Sequence, residues 1–478
     1  MSAISSAAID RRAFLCGTAS AAVLATLPHA AYAVAPPVKE FRLVAAPARV
    51  SLVGPPHPDT DVWCYGGRVP GPEIRVRQGE RIRVTVENRL AEETTVHWHG
   101  VRVPNAMDGV PHLTQKPIGP GETFVYEFAC PDAGTYWYHP HQRTFEQVGR
   151  GLYGPLVVDE RQGIAADRDV TWVLDDWRLL NNASISGDFG RMMDVSHNGR
   201  VGNTVTVNGR VTESFPVRSG ERIRLRLINA ANARIFGLEF EGHSPRVIAL
   251  DGQPIEPHSP SGGRVVLGPA MRADLLLDMT GEPGRRFRVI DTFYRTLEYR
   301  LLDLAYADAP PPRDLSEAKP IRLPENSLSQ PDLNGALRHE VTLGGGMMGG
   351  MMSAMMDGKR ADMGTLMHNG LVWAINGIAA KGHVHDPLLI LERNRSYVLQ
   401  LVNDTAWHHP MHLHGLSFRV IARNGQATQF REWQDTVLMA PRERVDIAFV
   451  ADNPGDWMFH CHILEHQVGG MMGVIRVA

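Results

Sequence analysis

Cysteine is scarce here: four in 478 residues, far below the density of a fold held together by disulfides. An excess of one charge is absent too. The net charge is −3 with both signs interspersed, which excludes the basic stripe of a nucleic-acid binder. Beyond the N-terminal segment no apolar run approaches bilayer-spanning length. Long helical periodicities are few, whereas 46 Gly and 33 Pro punctuate short alternating apolar runs. That pattern reads as all-β, and the length suits about three domains.

The N-terminus reads as a targeting segment. Arg11-Arg12-Ala13-Phe14-Leu15 precedes an Ala-rich apolar run and the small-residue site Ala31-Tyr32-Ala33. Paired arginines followed by Phe-Leu look like a twin-arginine signal, which exports proteins already folded. Residues 1–33 are therefore expected to be removed. The run is short for a retained anchor, so the mature chain is expected to be periplasmic, without membrane insertion, and monomeric. Cleavage removes Cys16 and leaves Cys64, Cys130 and Cys461. Spacing leaves two states open for Cys64 and Cys130: a disulfide, or two buried free thiols.

An internal repeat divides the rest into three. Gly79-Glu-Arg-Ile-Arg-Val, Gly220-Glu-Arg-Ile-Arg-Leu and the stretch from Asn376 to Asn403 each combine turns with alternating strands, as in a Greek-key sandwich. The domains are expected at 36–160, 161–312 and 313–478, the second boundary lying in the Pro-rich stretch Pro310-Pro311-Pro312.

The closing segment Asp456–Met471 carries the densest chemistry. Read as a strand from Trp457 to His462, it turns His460 and His462 to one face and Cys461 to the other. His466 and Met471 follow at distances that let them fold back towards the sulfur. Two His, a thiolate and a distant Met are the donor set of a blue-copper site; the two outward histidines need a second metal site behind the strand. Matching pairs are available at His97-Trp98-His99, His139-Pro140-His141 and His412-Leu413-His414. With His409 and His466 these motifs hold ten of the 21 histidines. The middle repeat has none at the corresponding positions, Ala231–Leu238 and Val289–Phe293, and is expected to act as spacer and wall.

These four motifs, HxHG, HxH, HPxHxHG and HCHxxxHxxxGM, stand complete and in the order that resembles the multicopper oxidases, the family of laccases, ascorbate oxidase and periplasmic cuprous oxidases. The resemblance implies three consecutive cupredoxin-like β-sandwich domains and four copper ions: one type 1, one type 2 and two type 3. It places the type 1 copper on His409, Cys461 and His466, with Met471 as weak axial ligand. It gives the type 2 copper His97 and His412, and the type 3 pair His99, His139 and His462 on one ion with His141, His414 and His460 on the other. His408 and Met472 stand beside true ligand positions; the anchors Pro410 and Gly470 favour His409 and Met471. The implied reaction is four one-electron oxidations coupled to reduction of O2 to water. The electron enters near His466, the ligand expected to approach the surface, and passes through Cys461 to His460 and His462. Asp108 matches an acidic position that serves the oxygen site. Gln467 departs from the pattern, standing where bacterial relatives carry a proton-relaying Glu, and an amide does not exchange a proton as a carboxylate does.

One segment breaks the repeat. Residues 344–368 hold eight methionines, among them Met347, Met348, Met351, Met352, Met355 and Met356. Paired glycines between the Met pairs disfavour a buried core helix. Thioethers are soft donors that suit Cu(I), and the insertion resembles the one cuprous oxidases place over the type 1 site. The expected electron donor is thus Cu(I), in copper tolerance. The alternatives are a laccase-type oxidase of phenols or aromatic amines, and a copper storage or delivery protein that turns over little.

Overall fold

The computed structural model describes residues 38–315, 318 and 321–478; the expected signal segment and Cys16 lie outside them. The described chain is three β-sandwiches in sequence, built from six larger sheets in successive pairs. In the first pair, one sheet runs in the order Thr60–Tyr65, Lys39–Val50, Arg81–Asn88, Thr123–Ala129, and the other in the order Ile74–Arg77, Gly154–Asp159, Gly134–His139, His97–His99. The second pair spans Arg168–Tyr306 with six and five strands, and the third spans Leu337–Val477. Each sandwich closes on its own apolar core: Leu43, Val84 and Trp98 in the first, Leu225, Phe236 and Leu275 in the second, Leu399, Phe418 and Phe459 in the third.

Register brings the histidine motifs together. His97–His99 pairs antiparallel with Gly134–His139 so that His97 faces His139. His409–Leu413 pairs with Gly455–Cys461, setting His412 opposite His460 and Met411 opposite Cys461. In the middle sandwich the strand Phe236–Phe240 pairs with Arg286–Asp291, bringing Leu238 to Asp291, and no histidine stands at either position.

The middle sandwich does more than separate its neighbours. The strand Arg222–Asn229 alternates Arg and aliphatic residues, as a half-exposed strand would, yet every one of its residues is buried. Arg224 pairs with Asp274 at 2.6 Å and Glu160 at 2.8 Å, and Arg226 with Asp169 at 2.7 Å. Glu160 belongs to the chain leaving the first sandwich, so these pairs pin the two together. A guanidinium so far from water is tolerated because its partners meet it with charge and hydrogen bonds at once.

Cys64 and Cys130 are separate free thiols, both buried. The 344–368 segment is no buried helix. Ser353–Met356 and Lys359–Asp362 form a hairpin, and Met363–His368 a short helix capped by the Asp362 carboxylate, which accepts from the Thr365 N–H. Met347, Met348, Met352 and Met355 are exposed, while Met351 and Met356 pack on a small apolar cluster around Leu366.

Candidate metal centre

The strand Gly455–Cys461 separates two clusters. On one side His409 Nδ1 lies 3.4 Å from Cys461 Sγ, and His466 Nδ1 lies 3.7 Å from the same sulfur. The two ring nitrogens stand 3.1 Å apart. Met471 is fully buried beside them; its carbonyl accepts from the Cys461 N–H at 3.1 Å and its own N–H donates to the His466 carbonyl. On the other side eight buried imidazoles from four strands and turns share one volume: His97, His99, His139, His141, His412, His414, His460 and His462.

Backbone carbonyls select the tautomers. A carbonyl only accepts, so a ring nitrogen against it carries the proton and its other nitrogen keeps a lone pair. His97 Nδ1 donates to the Asp108 carbonyl, His412 Nδ1 to that of Asp435, His139 Nδ1 to that of Pro140 and His460 Nδ1 to that of Cys461. In the other cluster His466 Nε2 donates to the His197 carbonyl at 2.6 Å, which frees Nδ1 to face the sulfur. Two of the freed atoms, those of His460 and His139, then each face a further ring nitrogen. His414 Nε2 and His460 Nε2 are 3.1 Å apart, and His139 Nε2 and His462 Nε2 are 3.4 Å apart. Further buried nitrogens, His97 Nε2, His99 Nδ1, His412 Nε2 and both nitrogens of His141, have no hydrogen-bond partner.

Lone pairs gathered in a dry pocket repel unless a cation joins them. Protons do not supply that cation. Burial and mutual repulsion push the basicity of His99, His139, His141, His414 and His462 well below the ordinary imidazole value, and burial brings His460 and His466 down to about 3. Burial also drives the Cys461 thiol strongly upward, so only a bound metal makes it a thiolate. Imidazole and thiolate donors suit copper, and these residues fit it.

The geometry distributes the expected sets unevenly. The pair His414 and His460 and the pair His139 and His462 each fall within one expected type 3 set. His97, expected on the type 2 ion with His412, can also share an ion with His141 and His414, or with His99 and His139. His466 corrects an expectation. It is fully buried, because the chain at His197 in the middle sandwich lies over its outer nitrogen.

Asp108 sits at the junction of the eight-imidazole cluster. Its Oδ2 lies 2.9 Å from His414 Nδ1 and its Oδ1 lies 3.2 Å from His97 Nδ1. The following Gly109 has φ +80°, and a Cβ there would lie 1.9 Å from the Val96 carbonyl oxygen, so only glycine lets Asp108 approach this closely. Gln467 is buried with its Oε1 unpartnered. With His141 it lines a cavity of about 310 Å3 whose walls are mostly apolar.

Several contributors were not distinguished in the sequence. Asp435 stands 3.2 Å from His99 Nε2 and 3.4 Å from His412 Nδ1, and is gripped by Arg272 from the middle sandwich. Glu465, fully buried, accepts from Asn232 Nδ2 and from the Arg200 N–H, tying the Cys461–Met471 turn to the middle sandwich. No motif marks these residues, since their role comes from how the sandwiches dock. A fifth His-x-His pair, His383-Val384-His385, lies outside both clusters, and pattern alone could have found it.

Comparison with known proteins agrees with this arrangement. Residues 50–163, 168–298 and 356–478 each match a family model described as multicopper oxidase. The multicopper oxidase MmcO of Mycobacterium tuberculosis is 32% identical over 467 residues, covering 90% of this chain and 85% of that protein. The crystal structure of a multi-copper oxidase from Pseudomonas thermotolerans superposes with a TM-score of 0.81 at 34% identity, covering 93% of this chain and all of that one. A multicopper oxidase from Campylobacter jejuni, described as a metallo-oxidase, superposes with a TM-score of 0.75 at 27% identity, covering 92% and 96%.

Proposed function

The chain belongs to the multicopper oxidase family, and from that premise we propose that it is an exported cuprous oxidase of copper tolerance, coupling four one-electron oxidations to reduction of O2 to water. His409, Cys461 and His466, with Met471 behind them, hold a type 1 copper, and the eight-imidazole cluster holds three more. Bound copper supplies the one-electron redox chemistry and the binding of oxygen. The observation that carries the reading is the placement of Cys461 in one cluster and its sequence neighbours His460 and His462 in the other. A few covalent bonds then link donor side to oxygen side.

The chain's own groups do the rest. Carbonyls of Asp108, Pro140, Asp435 and Cys461 hold His97, His139, His412 and His460 in their metal-binding tautomers, as acceptors behind metal-bound imidazoles commonly do. Asp108, against His414 and His97, can hold a proton and release it at its carboxylate oxygens. Gln467 reaches the same region but cannot relay one.

Cu(I) as donor is supported by the methionine segment. Met347 N–H donates to the Ser196 carbonyl and Trp407 Nε1 to the Met347 carbonyl. The adjoining residue, His197, is the one whose carbonyl receives His466 Nε2. Met347, whose thioether is exposed, is thus tied through its main chain to the residue next to the one that caps that ring nitrogen, and the description of the Campylobacter jejuni relative as a metallo-oxidase accords with a metal donor. Nothing in this arrangement requires a membrane; no helix among the described residues is long and apolar enough to cross one.

A laccase-type reading rests on a different observation. A cavity of about 710 Å3 lined by Phe293, Tyr294, Trp407, His408 and Ile463 lies beside the Cys461 cluster, and its aromatic walls suit a ring substrate. The test measures oxygen uptake by copper-loaded, signal-free protein with Cu(I) and with a phenol, before and after replacing Met347, Met348, Met352 and Met355 by Leu. Fast Cu(I) turnover that falls with the replacement identifies a cuprous oxidase. Strong phenol turnover indifferent to it identifies a laccase. No uptake with either donor, despite full copper and a blue band, leaves storage or delivery and removes the oxidase reading.

A further inference from the structure

His409, Cys461, His466 and Met471 are all fully buried, so a donor in solution touches none of them. Among the described residues, two partners from outside the cluster hydrogen-bond its rings. Thr405 Oγ1 lies 2.8 Å from His409 Nε2, and Thr405 is itself fully buried. Trp373, whose ring centroid stands 4.3 Å from that of His466, is buried as completely. The second partner is His197, whose carbonyl accepts from His466 Nε2 at 2.6 Å, and this residue is only half-buried.

The third sandwich holds the segment around His197 closely. Trp373 Nε1 donates to the Val195 carbonyl at 2.6 Å and the Met347 N–H to the Ser196 carbonyl at 2.9 Å. The Arg200 N–H donates to the Glu465 carboxylate at 3.0 Å. The His197 side chain has one defined tautomer. Ser196 Oγ gives its proton to the Met192 carbonyl at 2.7 Å, so its lone pair accepts the Nδ1–H of His197 at 2.9 Å. Nε2 therefore keeps a lone pair. The ring stands 5.3 Å from that of Trp407, also half-buried, and Trp407 and Asn198 line the aromatic cavity beside the cluster.

We propose that His197 is the electron-entry residue: the donor touches its imidazole, and the electron passes along this residue and through its hydrogen bond into His466. His197 has this role only if the chain is the oxidase proposed above, and it names where on that oxidase the donor is met. With Cu(I) as donor, Nε2 is the contact atom, since imidazole suits copper. One Cu(I) is oxidised to Cu(II), the type 1 copper is reduced by that electron, and no proton or covalent bond changes place.

The test follows bleaching of the blue band in copper-loaded, signal-free protein under argon. The protein is mixed with excess Cu(I), supplied as its acetonitrile complex, or with ferrocyanide, which binds no imidazole. His197→Ala keeps the carbonyl that meets His466, so blue absorption and the type 1 reduction potential are expected to stay. Bleaching by Cu(I) is expected to slow about tenfold, as for the loss of one modest contact, while bleaching by ferrocyanide is not slowed. His197→Met, which returns a soft donor atom to the same place, is expected to recover much of the Cu(I) rate. Should His197→Ala fail to load copper, His197→Phe fills the volume of the ring without a donor atom and must show the same selective loss. Undiminished bleaching by Cu(I) in these variants, or equal slowing with both donors, overturns the entry role. A blue band or potential that shifts in both means that the side chain holds the cluster rather than meets the donor, and overturns it as well. Native protein that is blue yet is not bleached by Cu(I) removes Cu(I) as the donor, and the contact at Nε2 with it.

Discussion

Arg272 grips Asp435 with two parallel hydrogen bonds, Nη1 to Oδ1 at 2.8 Å and Nη2 to Oδ2 at 2.6 Å, with both side chains buried. The pair explains the glycine of the first histidine motif: a Cβ on Gly100 would lie 2.2 Å from Arg272 Nη2 and 2.5 Å from Asp435 Oδ2. Burial pushes the Asp435 carboxyl up, but Arg272 and His412 outweigh it and hold it well below the usual range. Next to it Asp251 goes the other way, pushed up to about 7 by burial and by the Asp435 charge. Arg272→Met strands two buried carboxyls. We expect a loss of about 3–5 kcal/mol, read as a lower melting temperature. We also expect weaker copper retention at His99 and His412, read as copper per chain and as a reduced type 2 EPR signal. A variant that melts lower but keeps its full copper makes the pair purely structural.

That relationship also marks the limit of what the sequence disclosed. The histidine motifs, the Cys461 strand and the repeat of three sandwiches follow from local spacing, because strand alternation fixes which side chains share a face. The partners of those histidines do not. Asp435 and Arg272 occupy ordinary strand positions, and become neighbours only when the middle and third sandwiches dock. The same holds for Arg224 and Arg226, whose alternation with Ile and Leu resembles a half-exposed strand although both are buried in ion pairs. His466 was expected near the surface from its motif, and the covering residue, His197, comes from another sandwich.

The two free thiols give stability a pH dependence at the alkaline end. Burial pushes Cys64 up to about 11, and burial with the charges of Glu80 and Asp132 pushes Cys130 up to about 12, both from 9.0. A raised folded value contributes stability that is complete below the unfolded value and is lost as pH climbs through the folded one. The denaturation midpoint in urea should therefore fall from about pH 9 upward. Cys130→Ala should flatten that fall. Both thiols should resist a disulfide reagent until the protein unfolds; prompt reaction of the native protein would contradict the burial.

Proton supply can be tested from both sides of the imidazole cluster. Asp108→Asn keeps an oxygen acceptor for His414 Nδ1 but removes the exchangeable proton. Oxygen turnover should fall about 100-fold or more, with copper content and blue absorption retained. Gln467→Glu adds a carboxyl beside the cavity that reaches His141, and turnover at saturating oxygen should rise. An unchanged or lowered rate in Gln467→Glu would mean that the amide is no bottleneck and that protons arrive through Asp108 and water alone.

Trp407 offers a way to separate the cover of the Cys461 cluster from the cluster itself. Its ring is half-buried, stands 5.3 Å from that of His197, and donates from Nε1 to the Met347 carbonyl at 2.9 Å. It also lines the aromatic cavity beside the cluster. Trp407→Phe removes one hydrogen bond to the Met347 carbonyl, worth about 0.5–1.5 kcal/mol, while keeping a ring in the wall. If the thioethers deliver Cu(I) over His197, loosening them should lower Cu(I) turnover, and opening the cavity should raise phenol turnover. Copper content and the blue band should not move, because Trp407 touches neither sulfur nor imidazole of the cluster through this bond. The ratio of the two turnover rates is the measurement. A ratio unchanged from the native protein would mean that the position of the methionine segment over His197 has no part in choosing the donor.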